Sequence, residues 1–159
     1  MIYLRKLTIN DLDYLNSIEN NTSFWKYSFQ NQFYSNDDLI QFIYDSHLPV
    51  EETSQIRFVI CKTATDQPLG FIDLFEIDFA NSKAGVSILI ADKNHRSRGY
   101  GKMSLKKIIK FSRDRLNINN FYCNIYDYNI QSINCFKSVG FTEISKNSVD
   151  KSLIQLQCN

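Results

Sequence analysis

Scarcity guides the first reading. The chain of 159 residues holds two prolines and five glycines, too few for a fibrous or disordered composition. Two histidines, His47 and His95, and four cysteines, Cys61, Cys123, Cys135 and Cys158, make no closely spaced pair. Zinc ligands usually arrive as such pairs, so no metal is expected. The scattered cysteines read as reduced thiols. No apolar run approaches the roughly 20 residues of a membrane span. The opening MIYLRKLTINDLDYL carries charges where a secretory signal has its apolar stretch. A cytoplasmic protein without a membrane partner is therefore expected, and the sequons at Asn20 and Asn21 mean little. Repeats, low-complexity stretches and Pro/Gly/Ser-rich linkers are also missing, so residues 1–159 read as a single domain.

What is present suits a soluble globular protein: 43% hydrophobic, 22% charged and 14% aromatic residues. The net charge of +1 conceals an asymmetry. Residues 1–55 carry eight acids against Arg5, Lys6 and Lys26. Residues 93–115 carry nine bases against Asp114 alone, half of all the Lys and Arg in the chain. Such a basic segment is either a solvated helix face or a surface for an anion, nucleic acid or a phosphorylated cofactor. Aromatic residues are not interleaved with these bases, which argues against nucleic acid.

Periodicity gives an order of elements. IYLRKLT alternates as a strand, after which Asn10 is placed to cap a helix running to about Glu19. The aromatic stretch NNTSFWKYSFQNQFYS has no clear period and reads as a loop or short helical turns over a cleft. Ser35 or Asn36 then caps a second helix that ends before Pro49. RFVICK, GFIDLFEIDF and AGVSILIA read as strands separated by the turns TATDQPLG and NSK. From Gly99 to Leu116 the period is helical, with Leu105, Ile108, Ile109 and Leu116 on one face and lysines opposite. FYCNIYD is a strand, residues 130–139 a helix, and FTEISK and SLIQLQ are two closing strands. The order β-α-α-β-β-β-α-β-α-β-β defines an α/β domain, a mixed sheet flanked by helices.

The segment SILIADKNHRSRGYGKMSLKKIIKFSRDRL carries the chemistry. A strand enters a loop with Arg96, Gly99 and Gly101, and a helix follows at once. Unsatisfied N–H groups and the positive dipole end at a helix start bind phosphate, and glycine admits the anion close to the backbone. A P-loop is excluded, because Lys102 is followed by Met103 and no earlier glycine fits. A dinucleotide fingerprint is excluded too, because Ser104 stands where its third glycine belongs. The pattern that remains is Arg-x-x-Gly-x-Gly, Arg96 to Gly101.

This pattern resembles the acetyl-CoA loop of the GNAT N-acetyltransferase superfamily. A second element, Asn129-x-x-Ser132-x-x-x-Phe136-x-x-x-Gly140-Phe141, is similar to that family's Asn-x-x-Ala-x-x-x-Tyr-x-x-x-Gly-Phe. The resemblance spans essentially the whole chain, and within the superfamily it is nearest to bacterial spermidine/spermine acetyltransferases. The matching stretches are LNSIENN, WKYSFQNQFYSNDDL, IRFVI and LGFIDLFEIDF. Those enzymes carry acids where this chain has Gln30, Asn31 and Gly85, and they continue further beyond Gly140-Phe141 than the 18 residues found here. Their polyamine recognition does not carry over directly.

The resemblance implies a mixed, mostly antiparallel sheet and an acetyl-CoA co-substrate lying against diverging strands at Leu89, Ile90 and Ala91. Its pyrophosphate would rest on backbone N–H groups of Arg98 to Lys102, within the loop Arg96, Ser97, Arg98, Gly99, Tyr100, Gly101 and Lys102. Asn129, Ser132 and Phe136 would flank the pantetheine arm, although Asn129 reads equally as a plain helix cap. The implied reaction is direct attack of a small-molecule primary amine on the thioester. An alkyl ammonium, with a pKa of about 10.4, must first lose a proton. Glu76, projecting with Asp78, is the candidate base, and a backbone N–H near Leu89 or Ile90 the candidate oxyanion donor. Phe136 stands where the family places its proton-donating Tyr, and Tyr126 and Tyr128 are the candidate replacements. Trp25, Tyr27, Phe29, Phe33 and Tyr34 are placed to roof the acceptor site, with core packing as the competing role. Polyamines, amino sugars, antibiotics and protein N-termini remain open as acceptors. So do a homo-oligomer and a CoA-binding module that has lost catalysis.

Overall fold

The computed structural model describes residues 1–146 and 150–159. Seven strands form one sheet: β1 (Ile2–Lys6), β2 (Ile56–Lys62), β3 (Pro68–Asp78), β4 (Lys83–Ile90), β5 (Asn120–Tyr126), β6 (Thr142–Lys146) and β7 (Leu153–Cys158). Their spatial order is β1-β2-β3-β4-β5-β7-β6. Every neighbouring pair is antiparallel except β4 and β5. The helices are α1 (Leu12–Glu19), α2 (Asn36–Asp45), a short α3 (Val50–Thr53), α4 (Tyr100–Leu116) and α5 (Ile130–Lys137). The mixed α/β class is the one read from the sequence, and so is the element order apart from the short α3 and the 3-10 turns. No helix among the described residues is long and apolar enough to cross a membrane.

The sheet divides the apolar side chains between two layers. Along β2, Phe58 and Ile60 face one layer while Val59 and Cys61 face the other, as the two-residue strand period requires. The first layer is closed by α4 through Leu105, Ile108 and Ile109, and by α5 through Ile133 and Phe136. Leu15 and Ile18 of α1 and Leu39 and Ile43 of α2 close the second. Leu105 and Ile108 are fully buried, which stabilises the fold by about 1.5–3 kcal/mol for each side chain. Ser104 and Ser112 are buried on the same helix, and their hydroxyls donate to Tyr100 O and Ile108 O at 2.9 and 2.7 Å. Their small side chains bring α4 close to the sheet without leaving a polar atom unpaired.

Several local expectations change. Asn10 does not cap α1. The capping residue is Thr8, which opens a 3-10 turn over Ile9–Asp11 that leads into the helix. Asp11 accepts the Thr8 N–H at 2.8 Å and two bonds from the Arg5 guanidinium at 2.7 and 2.8 Å, so a buried carboxylate fixes that turn. At α2 the cap is Ser35, whose Oγ accepts from Asp38 N while Asp38 Oδ2 accepts from Ser35 N, a reciprocal capping box. Pro49 starts the short α3, which the sequence reading lacked. β3 begins at Pro68, two residues inside the expected turn, and α5 ends at Lys137 rather than at 139.

Candidate active site

The site begins where the sheet forks. β4 and β5 are parallel and pair only from Lys83 to Gly85 against Asn120 to Tyr122. Beyond Gly85, β4 stays paired with β3 as far as Ile90, while β5 runs alongside β7. The strands part, and a cleft of about 790 Å³ opens between them. Leu89 and Ile90 of β4 line one wall. Asn129, Ser132, Cys135 and Phe136, from α5 and its cap, line another.

The loop from β4 to α4 closes one end. Asp92 accepts from Asn94 N at 2.8 Å, a 3-10 turn follows, and Ser97 takes a φ of 58°. Gly99 then caps α4 at φ 81°, a left-handed conformation that favours glycine. No atom lies within 4 Å of where its Cβ would stand, so the approach to its backbone is open. The first helical bond runs from Met103 N to Gly99 O, which leaves the N–H groups of Tyr100, Gly101 and Lys102 without an intrahelical acceptor. Gly101 has a different reason to be glycine. A Cβ there would stand 2.9 Å from Cys135 Sγ, where α4 and α5 approach each other. Gln131 Nε2 donates to Ser97 Oγ at 3.0 Å and ties the start of α5 to the loop. Asn129 caps α5, its Oδ1 accepting from Ser132 N at 3.3 Å, and also lines the cleft.

The expected cofactor residues divide into three groups. Leu89, Ile90, Ser97, Gly99, Gly101, Lys102, Asn129, Ser132 and Phe136 line the cleft. Arg96 lines it too, but its guanidinium donates to Ile90 O at 2.9 Å and Ala91 O at 3.3 Å, bracing the end of β4. Ala91, Arg98 and Tyr100 lie beside the cleft rather than on its wall. Ala91 packs under α1 and α2, Arg98 is exposed, and Tyr100 stands edge-on to His95. A phosphorylated, pantetheine-like ligand fits this end: an open glycine turn, free amides and the most basic helix of the chain. Burial pushes the Cys135 thiol above its ordinary value, against a smaller opposing effect of Lys102, so the thiol beneath the loop is neutral.

The opposite end of the cleft holds a cluster that the sequence reading missed. Arg57 of β2 and Asp73 of β3 are direct cross-strand partners. The guanidinium donates to both Asp73 oxygens, at 2.7 and 2.9 Å, and to Glu19 at the end of α1. It lies between the rings of Phe42 and Phe71, 5.2 and 5.1 Å from their centroids. Burial works against the charge of Arg57, but Asp73 and then Glu19 outweigh it and raise the pKa above the ordinary arginine value. Ser87 Oγ adds a bond to Asp73 at 3.1 Å. Two carboxylates share one cation, so this end carries an excess negative charge. The available signal was one base in the apolar run RFVIC and one acid in GFIDLF, but pairing them requires the register of a hairpin.

Trp25, Tyr27 and Tyr128 form an aromatic wall beside this cluster. Trp25 packs against Phe33, Tyr27 against Tyr128, and Phe29 against Tyr126. Tyr126 and Tyr128 are stacked with centroids 5.2 Å apart. The Tyr128 hydroxyl donates to Lys26 O, which engages its proton. Phe136 borders the cleft but is 1% exposed and packs edge-on against Phe141.

Glu76 and Asp78 do not line the main cleft. Glu76 sits at a bulge with φ 47° and borders a smaller adjoining pocket of about 490 Å³. There it accepts a hydrogen bond from the Tyr122 hydroxyl. Burial and then Glu76 push the Tyr122 pKa above the ordinary phenol value. Asp78 accepts from Asn81 N and Nδ2 at 3.0 and 2.7 Å, a turn contact between β3 and β4.

A forked sheet with a glycine-turned helix start on one flank and an acidic, aromatic pocket on the other is the architecture of an acyltransferase. The chain belongs to the GNAT acetyltransferase family, whose domain model matches residues 2–142. Among curated proteins it is similar to spermidine N(1)-acetyltransferase of Vibrio cholerae, 26% identical over 88% of this chain and 78% of the relative. Among solved structures it matches spermidine N-acetyltransferase from Vibrio cholerae in complex with CoA and spermine. The TM-score is 0.86 at 21% identity, over 98% of this chain and 94% of that one. A dodecameric structure of spermidine N-acetyltransferase from Vibrio cholerae in an intermediate state matches with a TM-score of 0.76, also at 21% identity. It covers 98% of this chain and 92% of that one. At such identity these two structures show a shared fold.

Proposed function

We propose that this acyltransferase is cytoplasmic and moves the acetyl group of acetyl-CoA to a primary amine of a small cationic molecule, a polyamine-like compound or an amino sugar. The observation that carries this reading is the fork, which opens onto free helix N–H groups at one end and onto Glu19 and Asp73 at the other. Acetyl-CoA supplies an activated thioester. The amides of Tyr100, Gly101 and Lys102 hold its phosphates, and Gly99 keeps the approach clear. Leu89 and Ile90 present β4 backbone that β5 no longer pairs. Glu19 and Asp73 attract the acceptor as a cation, and Trp25, Tyr27 and Tyr128 cover it.

Glu19 and Asp73 are engaged by the Arg57 guanidinium. Glu76, in the adjoining pocket and without an ion pair among the described residues, is the base in this proposal. A homo-oligomer belongs to the same reading, with Phe29 and Phe33 as its exposed apolar surface, 65% and 67% accessible. One observation favours a second reading, a CoA-binding module with weak or lost catalysis: Phe136 has no proton to give. Thiol release from acetyl-CoA decides between them, measured against polyamines, monoamines, amino sugars and a peptide N-terminus. Amine-dependent release supports the transferase, with the peptide arm reporting an N-terminal acetyltransferase. CoA binding without release from any acceptor supports the module.

A further inference from the structure

The cleft and the smaller pocket meet at Arg57, Asp73, Ser87 and Asn124, together with Tyr27 and Ser28 of the overlying loop. Asn124 is the β5 residue at this junction. Gly85 is level with Tyr122 where the strands last pair, so two residues on Ser87 and Asn124 face each other across the opening. Ser87 spends its hydroxyl on Asp73. Asn124 is oriented from the other side. Its cross-strand partner on β7 is Gln155, whose Nε2 donates to Asn124 Oδ1 at 3.0 Å. Gln157 Nε2 donates in turn to Gln155 Oε1 at 3.4 Å.

This chain of amides has a direction. With the Gln155 carbonyl turned to Gln157, its NH2 group faces Asn124, whose carbonyl is thereby occupied. The Asn124 NH2 group is left for the opening, and among the described residues it has no acceptor. We infer that Asn124 is a catalytic hydrogen-bond donor to the acetyl oxygen, and that Gln155 is the residue that positions it. This rests on the acetyltransferase reading. The incoming amine forms its C–N bond, and the displaced π pair rests on the acetyl oxygen. The C–S bond then breaks with its pair leaving on sulfur, and the amine's proton passes to the base. Charge on that oxygen is where a fixed, pre-oriented donor acts most strongly. A neutral amide does this without repelling a cationic acceptor, as a lysine or arginine would. It also adds a donor to a site where Phe136 provides none.

Asn124→Ala is expected to lower kcat by about 10²–10³-fold while CoA affinity by isothermal titration stays unchanged. Gln155→Glu, at a half-exposed position on β7, serves if Asn124→Ala fails to fold. A carboxylate there accepts from the Asn124 NH2 group and turns it away from the opening, so kcat falls without loss of any cleft-lining atom. A readout independent of turnover is the side-chain amide resonance pair of Asn124. It is expected to shift on addition of acetyl-CoA without amine, and not to shift in Gln155→Glu. A kcat for Asn124→Ala within about twofold of wild type, or amide resonances that acetyl-CoA leaves in place, overturns the assignment of Asn124. A wild-type protein that binds CoA but never releases thiol overturns the acetyltransferase reading instead.

Discussion

Phe136 shows how one atom sets the limits of a site. Its ring borders the cleft while packing edge-on to Phe141, with centroids 4.9 Å apart. A para-hydroxyl that this packing accommodates would add a proton donor at the cleft wall. A missing general acid typically costs about 10²–10⁴-fold, whereas a CoA thiol, with an ordinary pKa of about 8.5, is a tolerable leaving group. Slow turnover is therefore expected from the wild type. Phe136→Tyr should raise kcat by about tenfold or more, read by thiol release. If it brings no gain and Tyr126→Phe and Tyr128→Phe are both silent, the proton comes from solvent. Gly99 supports a second prediction at this scale. Its φ of 81° and the empty space above it make conformation and charge, not crowding, the obstacles to substitution. Gly99→Glu should weaken CoA binding by about 100-fold or more, by repelling phosphate, while Gly99→Asn, which tolerates left-handed backbone, should retain most of it. Unchanged affinity in a folded Gly99→Glu protein would place the anion elsewhere.

Among the elements, the loop between α1 and α2 depends most on single hydrogen bonds. Trp25 Nε1 and Gln30 Nε2 both donate to Glu19 O, at 3.1 and 2.6 Å, and Gln30 also donates to Gln32 O at 3.0 Å. Asn20 exchanges two bonds with the Tyr34 backbone. The amide at 30 is essential to this arrangement, because a carboxylate cannot donate to a carbonyl. Gln30→Glu should free the loop and raise the KM for amine by about five- to tenfold, at roughly 1–1.4 kcal/mol for a lost bond. The chain's one tryptophan reports directly, with a red-shifted Trp25 emission expected. Identical emission and KM would mean that the latch does not hold the aromatic wall. Such contacts also mark where sequence reading ran out. Element order was legible because the apolar period changes at each boundary, and the cofactor loop because glycines and bases are contiguous. The Arg57–Asp73–Glu19 cluster and the Asn124–Gln155 pair join residues far apart in sequence through strand register and packing. Thr8 takes the cap assigned to Asn10 because Asp11 meets both Arg5 and the Thr8 N–H in space.

Taken as a whole, the molecule separates charge about its cleft, with the basic α4 at one end and an acidic cluster at the other. Arg57 joins α1, β2 and β3 across that acidic end. Its side chain is 19% exposed. Replacing it with Met leaves Glu19 and Asp73 facing each other unpaired, and at the lower end of the cost of breaking a buried pair should destabilise the fold by about 3 kcal/mol, measured by urea unfolding. The same charge layout decides which cations are recognised. The acidity of residues 1–55 favours a cationic acceptor, yet Gln30 and Asn31 are neutral, and the Phe75 ring lies over Gly85. A Cβ at Gly85 would come within 2.3 Å of that ring, so no acid fits there while Phe75 remains. Spermine therefore finds carboxylates for one of its ends but not along its length. Wild-type kinetics with spermine should be hyperbolic, with no growth in particle size by light scattering, and selectivity for spermine over a short monoamine should be small. Gly85→Glu alone should unfold or misfold locally against the ring. Paired with Phe75→Ala it should fold and lower the KM for spermine by about tenfold, the value of one well-placed charge near a protein surface. Sigmoidal spermine kinetics in the wild type, or a double variant with unchanged spermine KM, would show that the acids retained at Glu19, Asp73 and Glu76 suffice for polyamine recognition.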